Sequence, residues 1–95
     1  MLIFLWDDVK AKVNIHKHGI SFEESKSVFF DSNARLIADP EHSLEEERFL
    51  ILGMSENLNL LIVCHCYLED ENTIRLISAR KATKNEVKTY KVFSS

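Results

Sequence analysis

The chain has 95 residues, 45% of them apolar and 28% charged, which suits one soluble globular domain and is too apolar for a disordered chain. A net charge of −3 argues, read alone, against a partner with a phosphate backbone. Two glycines and one proline leave no room for flexible linkers, and no apolar run approaches the roughly 18 residues needed to cross a bilayer.

Leu2 to Trp6 is apolar and β-prone, and predicts a first strand. It lacks a basic leader and a small-residue cleavage site, so the expected location is the cytoplasm. Asp7 or Asp8 then caps a helix carrying Val9, Val13 and Ile15, with Gly19 as its stop after His18. Ser21 and Glu24 form a capping box for a second helix, which the apolar spacing carries to about Phe30. Asp31-Ser32-Asn33 is a turn, and Ala34 to Ala38 a short strand ended by Asp39-Pro40. Glu41 to Glu47 is polar and acidic, a loop or a single helical turn that would face solvent, the basic end of the chain or a basic partner. Phe49 to Met54 and Leu60 to Tyr67, separated by Ser55-Glu56-Asn57, read as a hairpin. After the turn Glu69 to Asn72, Thr73 to Ser78 is another strand. Thr83, with Glu86 as its box partner, starts a final helix.

The order is β-α-α-β-β-β-β-α. It predicts an α+β fold in one domain, residues 1–95. Two N-terminal helices pack on an antiparallel sheet of four to five strands, and a C-terminal helix follows.

The charge average hides a division. Residues 1–74 hold 14 acids and 6 bases, a net of −8, and residues 75–95 hold 1 acid and 6 bases, a net of +5. Within that basic end Arg75 lies in an otherwise core-like strand, where alternation groups it with Thr73 and Ile77. Such an arginine needs an anionic partner or open solvent, or offers its planar fork to a phosphate. Arg80 follows at the strand end, where a rigid sheet can position it. Lys81, Lys84, Lys88 and Lys91 continue as a basic stripe, either a solvated helix face or a nucleic-acid contact. His16, Lys17 and His18 complement a helix C-terminus, and the imidazoles are also of a type that transfers protons. His65 sits mid-strand between Cys64 and Cys66, in a position expected of a core histidine, with both cysteines on one face as small apolar residues. Neither a phosphate-binding glycine loop nor a metal-ligand pattern is present, so no cofactor and no metal are expected.

Three blocks in order then resemble one family, the BrnT-type toxins. They are Trp6-Asp7 with Lys10, Asn14 and Lys17 to Glu24 and Val28-Phe29; Asp39, His42-Ser43 and Glu46-Glu47-Arg48 with Ile51 to Gly53; and Ile74 to Thr83 with Glu86 and Tyr90. The resemblance implies a RelE-like fold and a ribonuclease toxin of a type II toxin–antitoxin system. It also implies inactivation by a BrnA-type antitoxin, a small DNA-binding protein that takes the complex to its operator. No membrane role is implied. It carries Lys17, His18, Arg75, Arg80 and Glu86 over as site residues. One position departs: Leu68 stands where members often have a basic residue.

Metal-independent RNA cleavage lets the ribose 2′-OH attack the adjacent phosphate. It needs a base, a cation for the phosphorane and an acid for the leaving oxygen. The expected roles are Arg75 and Arg80 on the phosphorane, and Lys81, Lys84 and Lys88 on the RNA backbone. Proton transfer falls to His18, His65 or an acid such as Glu47 or Glu86. The alternative is a catalytically weak or inactive homologue that binds antitoxin or nucleic acid without cutting.

Overall fold

The computed structural model describes residues 1–38 and 47–94. In chain order it has β1 (Ile3–Leu5), α1 (Asp8–His18), α2 (Phe22–Ser27) with a 3-10 turn over Val28–Phe30, β2 (Arg35–Ala38), β3 (Phe49–Met54), β4 (Leu60–Tyr67), β5 (Thr73–Lys81) and α3 (Lys84–Ser94). The expected strand end at Asp39-Pro40 and the acidic segment with Glu41, His42, Ser43 and Glu46 lie outside the described residues. Among the described residues no helix is long and apolar enough to cross a membrane.

The helix ends follow local chemistry. The Asp7 carboxylate accepts from the Val9 and Lys10 amides at 2.7 and 3.2 Å. Gly19 closes α1 at φ 70°, a left-handed conformation that only glycine adopts without strain, and its N–H donates to the Ile15 carbonyl at 2.8 Å. Ser21 caps α2 by accepting from the Glu24 amide at 3.0 Å. The Glu24 carboxylate is drawn to the β3–β4 turn, where Oε2 accepts from Ser55 Oγ at 2.6 Å and Asn59 Nδ2 at 2.8 Å. Burial raises this carboxyl, but those donors outweigh it and hold Glu24 below its usual range. The predicted second helix therefore tightens after Ser27, where the Ser27 hydroxyl donates to the Glu24 carbonyl at 2.6 Å and the chain finishes in a 3-10 turn.

The sheet order is β1-β5-β4-β3-β2. Strands β2 to β5 are antiparallel neighbours, and the short turns between β3 and β4 and between β4 and β5 dictate this for those pairs. β1 pairs parallel with β5, from Ile3↔Thr73 to Leu5↔Arg75, which makes the sheet mixed. No turn joins these two strands, so hairpin geometry does not set their direction. The β4–β5 register slips between Cys64 and His65, which oppose Ser78 and Leu76 and leave Ile77 as the extra residue. Leu76 and Ala79, three apart, thus both enter the core under the N-terminal helices.

That core holds Ile20, Phe22, Val28, Ile51, Leu61, Val63, Ile74, Leu76 and Ala79. The opposite sheet face has a smaller cluster in which Tyr90 of α3 packs on Leu52 and Ile62. The two faces are tied at Asp31. Its Oδ2 accepts from the Met54 amide and from the Tyr90 hydroxyl, both at 2.7 Å. Burial and then this carboxylate push the Tyr90 phenol up to about 12. Beside it, a Cβ on Gly53 would meet Val28 Cγ1 at 2.8 Å and Ala34 Cβ at 3.0 Å. Gly53→Ala is accordingly expected to cost about 1–3 kcal/mol by overpacking, read as a lower urea midpoint. An unchanged midpoint would show that the 3-10 turn yields freely.

α1 is held to the sheet by one side chain. Asn14 is buried, 4% exposed. Its Nδ2 donates to the carbonyls of Ile20 and Ala79, and its Oδ1 accepts from the Ala79 amide, all at 2.9 Å. β1 ends opposite Arg75, so the Asn14 amide group acts as the hydrogen-bonding neighbour of β5 where no strand reaches.

Candidate active site

The register slip decides which side chains share a face. Arg75, Ser78 and Arg80 lie opposite Cys66, Cys64 and Ile62, so all three project from the face turned away from α1 and α2. Strict alternation would have put Ile77 in this row. Ser78, which is exposed, takes that place between the two arginines, and no pattern in the strand marks it beforehand. Cys64 and Cys66 form no disulfide, and both are buried on that face as expected.

Arg80 is oriented from α3. Its Nη1 and Nη2 donate to Glu86 Oε1 and Oε2 at 2.8 and 3.1 Å, a two-pronged ion pair. Nη1 also donates to the Lys81 carbonyl at 3.3 Å. Glu86 closes the predicted capping box as well. Its Oε1 accepts from the Thr83 amide at 2.8 Å, and its own amide donates to Thr83 Oγ1 at 3.2 Å. The Arg80 guanidinium, opposed by burial and helped by the Thr83 amide, holds the Glu86 carboxyl down at about 2. In the same pairing the Arg80 guanidinium is raised.

This depressed carboxyl makes a stability prediction. The unfolded chain titrates Glu86 near 4.5, so the contribution is complete above that pH and fades as pH falls toward 2. The Arg80 side chain is 40% exposed, and solvent screening keeps the contribution to about 1 kcal/mol. Denaturant midpoints of Glu86→Gln should lie below those of the unaltered chain at pH 7, and the gap should close by about pH 2–3. A gap of equal size at both pH values would remove the pair from the account.

The other expected site residues are spread around this row. His18 is four residues beyond Asn14, one turn further along the same stripe of α1. His18 and its neighbour Lys17 are both exposed. Lys81 opposes Leu61, on the face of the N-terminal helices, and its charge helps lower the Glu24 carboxyl. Lys84 and Lys88 are exposed on α3. Each is two residues from Glu86, about 200° around the helix, so they face away from the Arg80 pair. His65 is fully buried at 0%, on the face opposite Arg75. Its ring packs against Phe29, Tyr67 and Phe49 at 4.8, 5.3 and 6.2 Å. Nδ1 lies 3.1 Å from the Val63 carbonyl, and Nε2 has no hydrogen-bond partner among the described residues. Burial pushes this imidazole down, so it is a neutral core group.

Glu47 lies at the opposite end of the sheet, close to the β4–β5 turn with Glu69, Asp70 and Glu71. Arg80, Lys81 and Lys84 mark the end where β5 stops. Four carboxylates thus gather at one end of β5 and three cations at the other, although Glu24, Asp31 and Glu56 also lie by the β3–β4 turn at that second end. Among the described residues no group of three or more His, Cys, Asp or Glu side chains is placed to hold a metal ion.

The sequence profile described as the ribonuclease toxin BrnT of type II toxin–antitoxin systems matches residues 6–86. Among solved structures, the crystal structure of the Brucella abortus ribonuclease toxin BrnT is similar, with a TM-score of 0.65 and 22% identity over 88% of this chain and 100% of that one. At that identity the likeness bears on the fold. None of the curated proteins matches.

Proposed function

The chain belongs to the BrnT family of ribonuclease toxins of type II toxin–antitoxin systems, and on that premise we propose that it cleaves RNA on the Arg75–Ser78–Arg80 face of β5, without a metal, and so arrests translation and growth in the cytoplasm. A BrnA-type antitoxin, itself a DNA-binding protein, neutralises it. The observation that supports this reading most is the pair of guanidinium groups on one rigid strand, one of them aimed by a two-pronged carboxylate.

In the proposed reaction the ribose 2′-OH attacks the neighbouring phosphorus. Arg75 and Arg80 stabilise the negative charge that grows on the non-bridging oxygens. A guanidinium is too basic to shuttle protons at neutral pH. Glu86, held ionised, acts as a positioning residue for Arg80 and not as a proton donor. His65, in the core, supports the sheet. His18, an exposed imidazole on α1, takes the proton-transfer role; it stands on the helix side of the sheet, so the RNA must pass around the end of β5 to reach both it and the arginines. Lys17 and Lys81 draw the RNA backbone to that end, and Lys84 and Lys88 extend the contact along α3.

The test is incubation of purified protein with single-stranded RNA in excess EDTA. Cleavage to products ending in a 2′,3′-cyclic phosphate is expected, with a rate that changes across about pH 6–7 if an imidazole carries the proton. No cleavage would favour a binding role for the chain. A flat pH profile would take His18 out of the mechanism.

A further inference from the structure

The end of the sheet remote from Arg80 carries a groove of about 600 Å3. Its walls are apolar: Leu36 of β2, Phe49 of β3, Tyr67 of β4 and Leu68 just beyond it. Phe49 and Tyr67 meet edge to face at 5.3 Å, which fixes both rings. Leu36 and Leu68 remain 50% and 37% exposed, so the walls leave apolar surface uncovered. Among the described residues the charged groups of the groove are the carboxylates of Glu47 and Glu71, and no lysine or arginine lines it. Burial and then the nearby Glu71 charge push the Tyr67 phenol up, so it stays a hydroxyl at neutral pH.

This lining selects its ligand. Two carboxylates beside Glu69 and Asp70 repel a phosphate chain, which opposes RNA in this groove. Aromatic and aliphatic walls below a carboxylate pair suit a side chain with an apolar stem and a flat cationic head. A guanidinium can stack on Tyr67 while donating in parallel to a carboxylate, whereas an ammonium offers only a point charge. We propose that the groove docks an arginine-bearing segment of a protein partner, the stem lying along Leu36 and Leu68 and the head between Glu47 and Glu71. That the partner is the antitoxin rests on the function proposed above; the chemistry of the groove does not.

The probe is a fluorescein-labelled pentapeptide alternating arginine and leucine, titrated with the full chain and followed by anisotropy. Its lysine counterpart and a single-stranded RNA serve as competitors. Saturable binding is expected, with the lysine peptide competing more weakly and RNA failing to displace. The double substitution Glu47→Gln/Glu71→Gln should weaken binding about tenfold, as loss of charge-assisted hydrogen bonds does. Leu68→Lys, a change at a partly exposed position, should weaken it similarly and covers the case in which the double variant is poorly folded. Binding unchanged in Leu68→Lys, or equal affinity for the two peptides, overturns the proposal. Displacement by RNA assigns the groove to nucleic acid and overturns it too. Peptide binding without RNA cleavage by the unaltered chain would leave the groove standing and remove the ribonuclease reading.

Discussion

Arg80→Ala is expected to lower the rate of RNA cleavage by about 10²–10³-fold, the usual cost of one preorganised donor to a developing oxyanion, and to let cells survive overexpression. The reason lies in how this guanidinium is held. Both terminal nitrogens are fixed by Glu86, and Glu86 is fixed by the first turn of α3. The cation is therefore aimed before substrate arrives, and no reorganisation is needed when charge develops. Arg80→Lys should recover little, because an ammonium cannot engage both carboxylate oxygens and still present a flat edge. Arg75→Ala should have a comparable effect from two strand positions before Ile77. The fold should survive Arg80→Ala, since the Glu86 side chain left behind is 27% exposed and can be solvated. Initial rates and far-ultraviolet circular dichroism on the same preparations decide it. Folded variants of both arginines that cut RNA at the full rate would move the site elsewhere.

Asn14→Ala is expected to destabilise the chain by about 3 kcal/mol, the cost of stranding buried hydrogen-bonding groups. The carbonyls of Ile20 and Ala79 and the amide of Ala79 all lose their partner at once. For a domain of this size each kcal/mol moves the thermal midpoint by about 4–8 °C, so a fall of more than 10 °C should be seen. Asn14→Asp should fare no better, because a carboxylate can accept from the Ala79 amide but would face two carbonyl oxygens. The same side chain holds α1, which carries Lys17 and His18, against β5, so residual folded protein should also cut RNA more slowly. A midpoint within a few degrees of the unaltered chain would mean that water replaces the amide.

Much of this architecture was legible where the cause is local. Asp7, Gly19, Ser21 and the Thr83–Glu86 box end their helices by contacts within a few residues, and short polar turns make β3, β4 and β5 antiparallel. Other features depend on partners far apart in the chain. Glu24 looked like a helix cap, but its carboxylate serves Ser55 and Asn59 across more than thirty residues. The bond between Asp31 and Tyr90 spans 59 positions, and the parallel docking of β1 has no turn to announce it. Within the candidate site, Arg80 and Glu86 were both visible as residues, yet their pairing changes the part Glu86 can take. Ser78 was hidden by the register slip, which no alternation rule reveals in advance. The lysine stripe of α3 could be read from helical spacing, whereas its direction away from Arg80 required knowing where Glu86 turns.

The opposite charges at the two ends of the sheet give the molecule a direction in solution. β5 is nine residues long, about 30 Å at a strand's rise per residue. That is three to four screening lengths in physiological salt, so a visitor at one end barely senses the other. A polyanion feels Arg80, Lys81 and Lys84 where β5 stops, and a cationic protein feels the carboxylates beside the groove. Neither responds to the overall −3. In roughly 0.01 M salt the screening length grows to about the length of the strand. The two fields then merge, and an approaching RNA meets the net negative charge that ordinary salt conceals.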